Sequence, residues 1–345
     1  MSIRGTLLAL VLAIAPVSAA HPCTFHGYTP DPTLVDLLLG AEDIIVAQPD
    51  PSTPGRLVIR DILLGQVGVA GVTADVDAPS GARLQADPDL SILLVRDVSY
   101  APWSTVAVMD DRFRDIVDII VENHEAWGQR YYPERFQMFA ARLNDPAPEI
   151  RRLAYQELDR ADYSVLRRLR LPPVPLGAAN LAAGDPDLAP IRVLLAGLSG
   201  ERSHSSALAS GLDAAIAAEL PHLGAYATAL IELLGPDGAA QITERYLGAE
   251  TSLDVREKLV EALAIHSQAG AAQTQRAVRR ALSDRLEQDP GLVGPIARQF
   301  GIRYDWSMLE PLSRALETRP SISVNDIFAV NQYIQIARQE EGGAQ

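Results

Sequence analysis

The 345-residue chain is 48% hydrophobic and 21% charged, a globular composition long enough for two domains. Its formal net charge of −14 repels phosphate backbones and argues against nucleic acid as a partner. Lys258 is the single lysine; the clusters Arg167, Arg168, Arg170 and Arg276, Arg279, Arg280 alternate with apolar residues, as solvated helix faces do.

Residues 1–20 carry Arg4, an apolar run over 6–15, Pro16 and a small-residue stretch. That is the pattern of a secretory signal peptide, with cleavage after Ala19 or Ala20. The run is too short to span a bilayer, which takes roughly 20 residues. No other long apolar run is free of charges, so an exported chain that does not span a membrane is expected. Cys23 is the only cysteine, which excludes an intrachain disulfide. Export without a disulfide framework favours a bacterial periplasm, with the extracellular space as the alternative.

Residues 21–127 form the first expected domain. After a Pro-rich lead-in, residues 34–39 predict a short helix. Residues 43–47, 56–64, 72–76, 90–95 and 104–108 are short β-rich runs separated by turns such as PDPSTPG and APSGAR. Short, regularly spaced strands predict a small antiparallel barrel or sandwich. Residues 110–127 predict a closing helix, with Asp110 and Asp111 at its positive end. The domain boundary falls near Gly128.

Residues 128–338 predict helices, and residues 339–345 a disordered tail. The stretch 133–169 reads as a helical hairpin. Phe136, Phe139 and Leu143 share one face; residues 144–148 (NDPAP) make the turn; Ile150, Leu153, Ala154, Glu157 and Leu158 continue at helical spacing. One hairpin buries too little to offset an ordering entropy of roughly 1–2 kcal/mol per backbone residue, so it needs stacked neighbours. Further helices are predicted over 191–198, 207–220, 225–234, 239–246, 255–266, 272–286, 292–300 and 323–338. The last of these is expected to cover the final repeat.

The run DPAPEIRRLAYQEL resembles the inner turn and second helix of a HEAT-type repeat, with Asp145 and Arg151 at the recurring Asp and Arg positions. DPDLAPIRVLLAGL echoes it with Asp185 and Arg192, and SLDVREKLVEAL with Arg256 and, two residues earlier, Asp254. The resemblance covers residues 130–300 and implies an α-solenoid. The pattern AED-IIVAQ, RLVIRDILLG, SILLV, with Cys23 near the mature N-terminus, resembles the netrin-like barrel of metalloproteinase inhibitors. The family's disulfide partners are missing, and its inhibitory activity is not carried over. The fold expectation is therefore an α+β two-domain chain: a small N-terminal antiparallel β barrel or sandwich followed by a HEAT-like α-solenoid.

Four stretches bear on chemistry. His21, Cys23 and His26 place three copper- or zinc-binding side chains within six residues; cleavage after Ala20 would add the terminal amine of His21. The alternative is an incidental leader. Gly65, Gly68 and Gly71 faintly resemble a phosphate cradle, but their spacing matches neither nucleotide motif, and an inter-strand loop is expected. His124, His204, His222 and His266 are scattered and read as packing or surface groups, and Asp110, Asp111, Glu340 and Glu341 lie at helix ends. Trp127, Arg130, Tyr131 and Tyr132 are hot-spot residue types at the domain junction and read first as glue between the domains.

No catalytic motif is readable. The sequence points to protein–protein interaction by an exported envelope scaffold, with another protein as partner. The alternatives are a metal-binding protein using His21, Cys23 and His26, and an enzyme with an unrecognised site in the β domain.

Overall fold

A computed structural model describes residues 30–129, 132–176, 185–220, 222–317 and 323–343. The leader with His21, Cys23 and His26, and residues Arg130 and Tyr131, lie outside the described residues. The architecture is α+β: a small antiparallel sheet near the N-terminus, then helices.

Helix α1 (Leu34–Gly40) opens with a capping box. The Thr33 hydroxyl accepts the Asp36 N–H at 3.3 Å, and the Asp36 carboxylate accepts the Thr33 N–H at 3.1 Å. Strands β1 (Asp43–Pro49), β2 (Leu57–Leu64), β3 (Gly71–Val72), β4 (Ser91–Arg96) and β5 (Ser104–Met109) pair in the order β3-β2-β1-β4-β5. The single sheet is open. Its edges β3 and β5 meet at the isolated parallel bridge between Ala74 and Trp103 and at the Thr105 hydroxyl, which donates to the Asp75 carbonyl at 2.8 Å. The run expected as a strand over 72–76 pairs at only two residues, because it leaves the ladder to reach that bridge.

The central strand shows why the DIIVA run is apolar throughout. Ile44 and Val46 face a core made with the helices, while Ile45 and Ala47 face a second, smaller core with Leu57, Ile92, Leu94 and Val108. A strand covered on both faces has no polar side to alternate with. The turn expected at APSGAR is instead helix α2 (Ala78–Ala86), which adds Leu84 to the smaller core. The Asp77 carboxylate accepts the Ser80 N–H at 2.8 Å, and Pro79 sits in the first turn, where its missing N–H costs nothing.

Helix α3 (Asp111–Glu122) is capped by Asp110, whose carboxylate accepts the Phe113 N–H at 2.8 Å, and buries Phe113, Ile116, Val117 and Ile120. Asn123 separates it from α4 (His124–Gln129), so the expected closing helix is two. The hairpin is α5 (Pro133–Ala140) and α6 (Pro148–Asp159), and its predicted apolar positions are buried. The larger core runs without interruption from Leu34 through Ile120, Trp127 and Phe139 to Leu195, so the expected boundary near Gly128 falls inside shared packing.

After α7 (Tyr163–Leu166) come α8 (Ala189–Leu198), α9 (Ser205–Ala217), α10 (Leu223–Leu234), α11 (Pro236–Tyr246), α12 (Leu253–Ala269), α13 (Ala272–Gln288), α14 (Val293–Gly301), α15 (Leu309–Glu317) and α16 (Val324–Gly343). Helices α6, α8, α10, α12, α14 and α16 are successive neighbours in one row; α11, α13 and α15 form a second row behind them. Helix α15 lies where no helix was expected, and α16 continues past Arg338 into the expected tail. Small residues set the spacing of α8 and α10: a Cβ on Gly197 would come within 2.7 Å of the Ala229 backbone.

One junction recurs. The carboxylates of Asp145, Asp185 and Asp289, each followed by proline, accept the N–H two residues on, at 2.9, 3.2 and 2.9 Å, just before α6, α8 and α14. Each also receives an arginine 33 residues earlier in the chain: Arg112 at 2.8 Å, Arg152 at 2.8 Å and Arg256 at 2.5 Å. The Asp and Arg positions matched within a unit do not pair side chain to side chain. Arg151 donates to the Asp145 carbonyl at 2.6 Å, Arg192 stands over the Tyr155 ring, and Asp254 pairs with Lys258.

Candidate functional site

Three groups of polar side chains bear most on function. At the first, Glu157 is fully buried, and Arg135 donates to it at 2.7 Å and to Asp36 at 3.3 Å. The Val35 N–H adds a bond at 3.3 Å. Burial pushes the Glu157 carboxyl up, while Arg135 pulls it back toward ionisation. These contacts fix α1 against the hairpin. Beside them, Thr33, Arg152, Gln156, Asp159, Asp185 and Asp187 line a hollow of about 380 Å³.

The second place lies under residues 161–176, which cross the front row as a strap. Val174 is buried, and Leu176 packs against both large cores. Beneath the strap, Tyr163 makes a very short hydrogen bond to the Glu232 carboxylate, and its oxygen lies 2.8 Å from His266 Nε2. Arg167 Nε donates to the same Glu232 oxygen at 2.9 Å, and Arg167 also donates to the Ala269 carbonyl at 2.5 Å. His266 Nδ1 lies 2.9 Å from the Ala262 carbonyl. Although burial opposes it, these donors hold the Glu232 carboxyl down to about 2. Burial and the Glu232 charge push the Tyr163 phenol well up.

The third place is the open face of α12, α14 and α16. Arg298 bridges Glu257 at 2.7 Å and Asp326 at 2.6 Å, and Arg303 reaches Glu261 at 3.0 Å. Leu253 stands one turn before Glu257 and is 69% exposed; Val324 and Phe328 flank Asp326 at 81% and 71%.

The other sequence candidates resolve separately. Gly65 closes the β2 end with φ of +87°, and its loop is held by the Asp43 carboxylate accepting the Gln66 N–H at 3.0 Å. Trp127 is buried in the shared core. His204 Nε2 meets the Val174 carbonyl at 3.0 Å, and His222 leans on Tyr226, with burial holding its imidazole below its usual value. His204 Nε2 also lies 3.3 Å from Glu201, while His266 joins a group of Tyr163, Arg167 and Glu232. The solvated reading of the arginine clusters fails at Arg167 and Arg279: the first holds Glu232, and the second donates to the Ser267 hydroxyl at 2.9 Å and carbonyl at 2.8 Å. Tyr163 and Arg167 stand one helical turn apart, the one local sign of the cluster; nothing in the sequence links them to residues 232 and 266.

Among the described residues no group of three or more His, Cys, Asp or Glu is placed to hold a metal, and no helix is long and apolar enough to cross a membrane. No protein-family model, no curated protein and no solved structure matches this chain.

Proposed function

We propose that this chain is an exported envelope scaffold: a HEAT-like α-solenoid that presents its open front-row face to another protein. The observation that carries this reading is the two-row array with its three Arg–Asp-Pro junctions, each with 33 residues between arginine and aspartate. Repeated units joined by one kind of contact build a long face from neighbours alone. On α12, α14 and α16 that face combines exposed apolar side chains with a central arginine, the composition of binding hot spots. Export is supported by the signal-like pattern of residues 1–20. For the N-terminal sheet we favour a partly open barrel, because its strand order and the parallel bridge between its edges suit a five-stranded Greek-key barrel.

Site-specific photo-crosslinking in exporting cells tests the reading. A crosslinker at Leu253 or Phe328 should give the same discrete adduct, lost on Arg298→Glu. One at Tyr100, 89% exposed on the sheet side, should give none of it. No adduct at either helical position, or equal yield at Tyr100, refutes the proposed face.

A further inference from the structure

The hydrogen bonds under the strap fix the proton count of the His266 ring. A carbonyl oxygen only accepts, so the 2.9 Å contact with Ala262 puts a proton on His266 Nδ1. Glu232, ionised beside Arg167, also only accepts. Tyr163 has one hydroxyl proton, and its very short contact with Glu232 uses it. The tyrosine oxygen can then meet His266 Nε2 at 2.8 Å only if Nε2 is itself a donor. The ring therefore carries protons on both nitrogens, with the Glu232 carboxylate 3.5 Å away as counter-charge.

We propose that the Tyr163–His266–Glu232 cluster is a proton-controlled latch, closed by the His266 imidazolium and released when Nε2 loses its proton. A neutral ring turns Nε2 into an acceptor. The Tyr163 proton can then serve His266 or Glu232 but not both, and one contact is left as two acceptors face to face. The strap loses a bond at Tyr163, while Arg167 still holds Glu232.

The surrounding groups leave this switch to His266. From the strap come Tyr163, Arg167 and, at the start of α7, Asp162, whose carboxyl burial pushes up. From α10 comes Glu232. On the other flanks of α12, Arg279 and Asp305 engage Ser267, while Arg298 and Arg303 engage Glu257 and Glu261. The Tyr163 phenol is pushed well up and Glu232 is held at about 2, so both keep their protonation state near neutral pH.

Imidazole ¹⁵N NMR on the full chain, with His266 assigned through His266→Gln, reads the proton count; amide protection over residues 163–169 reads the strap. Spectra are compared at about pH 5.5 and about pH 8.5, on either side of neutrality. At the lower pH both ring nitrogens should be protonated. At the higher pH Nε2 should be bare and protection over 163–169 about tenfold lower, the equivalent of one hydrogen bond. Protection in α10 should not change. Asp162→Asn should keep the pH response and Tyr163→Phe should abolish it. A singly protonated ring at the lower pH, a doubly protonated ring at both, unchanged strap protection, or a response that survives in Tyr163→Phe overturns the latch.

Discussion

Two arginines in this molecule do the same thing in different surroundings. Arg135 bridges Glu157 and Asp36 in the first half of the chain; Arg298 bridges Glu257 and Asp326 at the far end of the array. Each makes its shorter carboxylate contact at 2.7 Å or less. The difference is burial. The Arg135 and Glu157 side chains are 12% and 0% exposed, those of Arg298 and Glu257 40% and 25%. Distance alone would rank the pairs as equals, but the dielectric around them separates their roles. The first clamp specifies where α1 sits, because burial raises the Glu157 carboxyl and the Arg135 charge is the main force opposing it. The second keeps an open surface ordered, with its arginine partly exposed between two carboxylates.

The largest loss of stability is expected at the first clamp. Arg135→Ala leaves a buried carboxylate without its cation and should cost about 3–5 kcal/mol in denaturant unfolding. A loss below about 1 kcal/mol would mean that burial does not distinguish the two bridges.

Acid should destabilise the protein at the cluster under the strap. The folded Glu232 value lies at about 2 against an ordinary 4.5. A depressed carboxyl stabilises the fold above its unfolded value, and the contribution is lost as pH falls through its folded value. Unfolding free energy should therefore fall between about 4.5 and 2 by something on the order of 3 kcal/mol in the wild type. Glu232→Gln should lose most of that slope. An unchanged slope in the variant would place the acid sensitivity elsewhere.

The smallest effect is expected at the open bridge. Arg298→Ala should change unfolding free energy by about 0–1 kcal/mol, because water and salt screen exposed pairs. A loss above about 2 kcal/mol would make this face part of the stabilising core.

Much of the local structure was legible. Phe136, Phe139, Leu143, Ile150, Leu153 and Leu158 fall on buried faces because helical spacing alone puts them there. Asp110 caps α3 because an aspartate before an apolar helix has an unpaired N–H within reach. Helix α2 was missed because Pro79 and Gly81 read as a turn, although Asp77 before Pro79 is a start signal. Helix α15 carried the same kind of signal, with the Asp305 carboxylate accepting the Ser307 N–H at 3.0 Å. The clusters were not legible, since their members lie far apart in sequence: Tyr163 and His266 are 103 residues apart, Arg135 and Glu157 22.

Local spacing already placed the strands, most of the helices, the apolar faces and the Asp-Pro turns, because these depend on contacts within a few residues. Tertiary packing added what spacing could not: Asp145, Asp185 and Asp289 each take an arginine from 33 residues upstream, Glu157 is sealed from water, and Tyr163, Glu232 and His266 meet at the strap. Those outcomes depend on which helices stack. Helical periodicity says which side of a helix is buried, but not which neighbour buries it.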